Sequence, residues 1–235
     1  MSLRFLIILF LIPCYSFGQE VITSGDALYR TTYTLINGSI MEASIKKSKS
    51  PKNKTSKPKP SSKDLKCERS ETLSKEIQKN YMASMTKIQP ELKGTLDRYF
   101  ENNKLRNQFD ALLTGYNYSP TDMADVVTAY LVISWQIVNN KNFEDKNGFN
   151  AVRNWVQDIL LKSDQLAVMD NATKQLYAEA YSYQTMLCFN SYKELSSKRN
   201  QKGLEQLKSN LYKSVKDSFL DLKSVKLTSK GFVKN

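Results

Sequence analysis

The sequence predicts an all-α fold, a single bundle of about six to seven helices, and three observations lead to this prediction. From about Ser70 onward, apolar residues recur every three or four positions, which is the period of helices that bury one face. Short polar loops separate these stretches, and no repeat period links them, which favours a bundle over a solenoid. We therefore predict one helical domain over residues 68–235.

The first 18 residues have the pattern of a cleavable signal peptide. Arg4 precedes an apolar run at residues 5–12, and the small residues Ser16 and Gly18 suit cleavage after Gly18. This run is shorter than the roughly 20 residues that a membrane-spanning helix needs. We expect a secreted or periplasmic protein with no transmembrane segment in the mature chain. A lipoprotein modified at Cys14 is the alternative, which the preceding proline disfavours.

Residues 19–45 contain a strand pattern. Residues 29–36 are rich in threonine, tyrosine and aliphatic side chains, and Asn37-Gly38 favours the tight turn that joins two antiparallel strands. We predict a short β-hairpin in this N-terminal segment, before the helical domain.

Residues 46–67 have the composition of a disordered linker, rich in lysine, serine and proline and poor in apolar side chains. From Lys46 to Lys66 there are nine lysines and one acid, so this stretch contributes +8 of the chain's formal charge of +12. A basic segment of an exported chain can contact anionic envelope polymers. A solvated spacer without a partner is the alternative interpretation.

Helix boundaries are predicted from capping residues and from glycine. Ser119-Pro120-Thr121-Asp122 favours a helix start with Ser119 as the cap and Asp122 as the acid of a capping box. The helix that follows is apolar nearly all round, so we place it in the centre of the bundle. Asp170 is predicted to cap a later, long helix, and Gly231 to end what remains of the last one.

The chain has no histidine, and this excludes several kinds of site. Serine and cysteine catalysis that uses histidine, zinc sites that contain histidine and haem held by a proximal histidine are all ruled out. Glycine-rich phosphate-binding loops are missing from the sequence as well. We therefore predict no cofactor, no metal site and no specific nucleic-acid binding.

Two cysteines, Cys67 and Cys188, remain after removal of the signal peptide. An oxidising compartment would allow them to form one disulfide. The alternative is a pair of free thiols, with Cys188 as a small core residue.

Three carboxylates stand in apolar surroundings and are the candidates for chemistry: Asp122, Asp125 and Glu179. Any two of them could serve as the acid and base of a glycan hydrolase. We favour a structural role, in which Asp122 caps its helix while Asp125 and Glu179 pair with Arg153. Four tyrosines of the long helix are interpreted as core rings rather than as a sugar site: Tyr177, Tyr181, Tyr183 and Tyr192.

Residues 75–232 resemble a family of secreted bacterial helical proteins known only as a domain of unknown function. The resemblance implies an all-helical fold and export, gives additional weight to Asp125, Arg153 and Glu179, and implies no activity. It rests on dispersed matches: Ser119-Pro120, Ala124-Asp125, Tyr130, Trp135, Val152-Arg153, Glu179, Leu227-Thr228 and Gly231-Phe232.

The sequence favours an exported, non-enzymatic module that binds or interacts at the cell envelope, and the alternative is the carboxylate-dependent glycan hydrolase. The geometry of the acids separates the two. Free carboxyl groups about 5–10 Å apart in an open cleft would favour the enzyme. The same groups closed onto Arg153 would favour the structural role.

Overall fold

The computed structural model describes residues 60–88, 90–163 and 169–235. The predicted signal peptide and N-terminal hairpin lie outside these residues. Helices dominate the described part, which confirms the predicted all-α bundle. In chain order the elements are α1 (Glu71–Ile88), α2 (Lys93–Phe100), α3 (Lys104–Gly115), α4 (Met123–Asn139), α5 (Lys146–Leu161), α6 (Asn171–Ser197), α7 (Gln201–Ser218), β1 (Val225–Thr228) and β2 (Gly231–Lys234).

Helix α4 lies at the centre of the bundle, as its apolar sequence predicts. Fifteen of its residues are buried, and it packs against α5, α6 and α7. Its start differs from the prediction, because Asp122 rather than Ser119 is the N-cap and accepts a hydrogen bond from the Ala124 amide at 2.9 Å. Ser119 instead donates its own amide hydrogen to Asp125.

The capping prediction at Asp170 is confirmed. The side chain of this residue is the N-cap of α6 and accepts a hydrogen bond from the Thr173 amide at 2.8 Å. Two of the tyrosines on this helix, Tyr177 and Tyr183, are buried in the core.

The C-terminal residues form a β-hairpin where the sequence prediction had the end of a helix. Strands β1 and β2 pair in antiparallel register, and Gly231 has a φ of +83°, a value that glycine adopts without strain. Val225 and Leu227 are buried while Lys226 between them is exposed, which is the alternation of a strand. The indole N–H of Trp135 donates to the Val225 carbonyl at 3.1 Å and so ties the hairpin to α4.

The described fold begins inside the segment that was predicted to be a linker. A short 3₁₀ turn covers Ser62–Leu65, and Leu65 is completely buried. Beyond it, the Cys67 amide donates to the Thr121 carbonyl at 2.9 Å. Residues 62–67 therefore pack against the start of α4, ahead of the predicted domain boundary at residue 68.

Candidate functional site

Arg153 of α5 binds two carboxylates at the N-terminus of α4. Its Nε atom donates to Asp125, and its Nη2 atom lies 3.5 Å from a carboxylate oxygen of Asp122. Asp122 and Asp125 are buried, at 3% and 4% exposure, whereas 27% of the arginine side chain is exposed. The structure therefore brings together three of the four residues that the sequence analysis singled out.

Backbone amides complete the coordination of both carboxylates. The second oxygen of Asp125 accepts the Ser119 amide hydrogen at 2.8 Å, and Asp122 accepts that of Ala124. Burial raises the pKa of Asp122, with the charge of Asp125 acting in the same direction, while the Ala124 amide and Arg153 oppose the rise. Each acid thus has one cationic donor and at least one backbone donor.

The pKa of Arg153 is set by burial and by its two acid partners. Burial acts to lower this pKa, but the hydrogen bond and charge of Asp125, with the charge of Asp122, outweigh burial and raise it. The guanidinium therefore stays protonated, and the cluster carries two carboxylates against one permanent cation.

An open pocket of about 470 Å³ lies over this cluster. Gln157, one turn further along α5, accepts a hydrogen bond from Arg153 Nη1 at 3.0 Å. Burial raises the pKa of Tyr118 to about 12, and the charge of Asp125 adds to the rise. Lys66 also lines the pocket. Internal hydrogen bonds thus engage Asp122, Asp125 and Arg153 at the floor of the pocket, whereas Lys66 at its edge is exposed.

Glu179 does not join Arg153 and instead lies in a second buried cluster. It is 1% exposed, and it accepts hydrogen bonds from Ser74, from Gln175 at 2.9 Å and from the Tyr183 hydroxyl at 3.0 Å. Its nearest cation is Arg69, whose Nε atom lies 4.0 Å from the carboxylate. The carboxylate of Glu179 is therefore satisfied by α1 and by its own helix.

Arg69, which was not among the predicted site residues, anchors the residues before α1. Its guanidinium donates two hydrogen bonds to Asp110 of α3, at 2.5 and 3.1 Å. Nothing in the local sequence marks this long-range contact. The partners of Glu179 on its own helix do carry a signal, because Gln175 and Tyr183 stand four residues before and after it, on the same helical face.

Cys67 and Cys188 are both free cysteines in the structure. No bond joins their sulfur atoms in this structure, and the disulfide that the cysteine count permits stays a prediction for the oxidised chain. Burial raises the pKa of both thiols, to about 12 for Cys188. A thiol with a raised pKa is a poor nucleophile at neutral pH, so neither cysteine is poised for covalent chemistry.

The described residues hold no group of three or more acidic or cysteine side chains that could bind a metal ion. In this same part of the chain, no helix combines the length with the apolar character that crossing a membrane requires. The acids at the start of α4 are paired with Arg153, and Glu179 is enclosed by neutral donors. This arrangement stabilises the packing of helices and leaves none of the three candidate carboxylates without donors.

The fold and these two clusters define a helical-bundle protein whose buried acids join neighbouring helices. The chain belongs to a family of unknown function, DUF6683, whose model matches residues 26–235. This match confirms the resemblance to a domain of unknown function, and it reaches further towards the N-terminus, across the basic segment to residue 26. Comparison with curated proteins and with solved structures found no match.

Proposed function

We propose that this protein is an exported, non-enzymatic binding module of the cell envelope. The observation that supports the proposal is the coordination of the three candidate acids. Asp122 and Asp125 are closed onto Arg153 and backbone amides, and Glu179 accepts three hydrogen bonds in the core. A glycan hydrolase needs one carboxyl group that can donate a proton and a second that is free to act on water or the sugar.

The basic segment is the proposed contact with the envelope. Lys46 to Lys66 concentrates cations next to a helical domain that is only mildly basic, and polymers rich in phosphate or carboxylate are attracted to such a segment. Lys66 packs at the start of α4, where its backbone bridges to Asp122. The segment would therefore hold the bundle close to the polymer surface.

Co-sedimentation with isolated envelope material over a salt series tests this proposal. The mature chain is compared with a variant in which the lysines of residues 46–59 are changed to glutamine. We expect the unmodified chain to sediment at low salt, to be released as salt rises, and to lose most of its binding in the variant. Binding that is equal in both proteins and insensitive to salt would contradict the role of the segment.

A matched control removes the same number of charges from the helical domain. The seven lysines chosen for this control are exposed, so their replacement should leave the fold intact and change binding far less than the segment variant does. The control changes Lys75, Lys79, Lys104, Lys141, Lys146, Lys162 and Lys202 to glutamine.

A further inference from the structure

A second pocket, lined mainly by apolar side chains, lies beside the Arg153 cluster. Its volume is about 160 Å³, and it is lined by residues from the end of α3 and the segment after it, the middle of α4, the loop before α5, the first turn of α5, and α6. An apolar cavity of about 150 Å³ is large enough to hold a benzene-sized guest. Five aromatic rings line it: Tyr116, Tyr118, Phe143, Phe149 and Phe189.

The rings form a connected wall. Tyr116 and Phe149 are stacked with their centroids 4.2 Å apart, and Phe143 lies 5.7 Å from Phe149. Gly148 lets Phe143 take this position, because a side chain at 148 would overlap the phenyl ring and the Thr228 carbonyl. The wall is therefore built by close packing between the loop before α5 and the first turn of α5.

The charge of this pocket is opposite to that of the chain. The protein has 35 lysines and arginines, yet none of them lines the pocket, and Glu144 is its one charged lining residue. Glu144 is exposed and accepts a hydrogen bond from the side-chain Nδ2 atom of Asn142 at 2.6 Å. Within the described part of the chain it has no ion-pair partner.

From the rings and the carboxylate together, we infer that this pocket binds a small organic cation, an alkylated ammonium group of the kind that choline carries. Aromatic faces attract such cations, and alkyl groups on the nitrogen pack against the rings as apolar surface. The ammonium group of Lys193, which does not line the pocket, lies 4.3 Å from the centroid of Phe189, so a guest would contact mainly the other four rings. A neutral guest would pack against the rings but would have no charge attraction to Glu144.

Choline and its uncharged isostere 3,3-dimethylbutan-1-ol distinguish these two kinds of guest. The thermal unfolding midpoint of the mature chain is measured against the concentration of each, with sodium chloride added to match the ionic strength of choline chloride. A ligand that binds only the folded state raises the midpoint by an amount that grows with the logarithm of its concentration divided by its dissociation constant, once that ratio is well above one. We expect choline to bind about tenfold more tightly than the alcohol. Equal affinity, or no binding of choline, would overturn the inference.

Two variants separate the charge from the rings. Glu144→Gln should weaken choline several-fold and leave the alcohol unchanged, whereas Phe143→Leu should weaken both guests. Glu91→Gln, at an exposed acid outside the pocket, is the matched control and should change neither affinity. A Glu144→Gln variant that binds choline as tightly as the unmodified chain would contradict the role of the carboxylate.

The source of the cation is tested with vesicles. Sedimentation with phosphatidylcholine vesicles, reversed by free choline, would assign the site to a lipid headgroup, and choline binding without sedimentation would assign it to a free cation. The rings and the carboxylate that line the aromatic pocket all belong to the helical domain, outside residues 46–59. The variant that lacks the lysines of residues 46–59 should therefore bind choline like the unmodified chain, even where it no longer binds envelope material.

Discussion

Replacing Arg153 with methionine tests the structural role of the acid cluster. The change leaves Asp122 and Asp125 buried without their cation, although each keeps one backbone donor. Breaking a buried ion pair costs about 3–5 kcal/mol. Because 27% of the arginine side chain is exposed and water can enter in its place, we expect a loss of about 2–4 kcal/mol in the free energy of unfolding.

Urea unfolding followed by tryptophan fluorescence measures this loss. Lys75→Met is the control, because it also replaces a cation with methionine but at an exposed position. It should alter stability by no more than about 0.5 kcal/mol. A double-mutant cycle with Asp125→Asn isolates the energy of the pair from other effects of each substitution. A loss below about 0.5 kcal/mol for Arg153→Met, the value of an exposed pair, would refute the reasoning.

The pH dependence of the same variant provides a second check. Burial raises the pKa of Asp122, so the folded state holds the proton of this carboxyl group more tightly than the unfolded chain does. The contribution of Asp122 to stability therefore falls as pH rises from its pKa in the unfolded chain to its higher pKa in the folded state. Removing Arg153 removes a charge that opposes the rise. The variant should therefore lose more stability with rising pH than the unmodified protein does, and the difference between them should shrink in acid.

Three further predictions concern stability and thiol reactivity. Glu179→Gln should lower the free energy of unfolding by about 2–4 kcal/mol, because the amide nitrogen would face donors in the core; a Tm equal to that of the unmodified chain would contradict this. Gly148→Ala should cost about 1–3 kcal/mol through overlap with its neighbours. Gly94→Ala, with open space around it in α2, should instead be neutral or stabilise by up to about 1 kcal/mol in the same urea assay. Cys67, which is buried, and Cys188, which is partly buried, should react slowly with a disulfide reagent at pH 8 in the native protein and rapidly in denaturant. Fast reaction of the native protein would contradict the raised pKa of the two thiols.

The architecture of the bundle was predictable because its signals are local. The uniformly apolar sequence of α4 identifies a central helix, and Asp170 caps α6 through a residue three positions away. The C-terminal hairpin was missed because its strands have four residues each, and the buried pair Val225 and Leu227 is too short to distinguish strand from helix. Its position depends on tertiary contacts with Trp135 and with α5.

The candidate site was predictable only in part, for a related reason. Asp122 and Asp125 share one helical turn, so their proximity follows from the sequence, and Arg153 was a plausible partner as the basic residue among the apolar side chains of its helix. The arginine that lies nearest to Glu179 is determined by how α1 and α6 pack against each other. No local sequence pattern predicts that packing. The aromatic pocket assembles rings from separate segments and leaves no linear motif.

The central claim is that the protein binds the cell envelope without cleaving its glycan. The most direct test uses a single set of samples, in which the mature chain is incubated with isolated envelope glycan. The protein that sediments with the glycan and the reducing ends released into solution are both quantified over time. We predict bound protein and no release above the blank without protein. A release of reducing ends that grows with time and protein concentration would contradict the proposal. If Asp125→Asn abolishes this release in protein shown to be folded, the protein is a hydrolase.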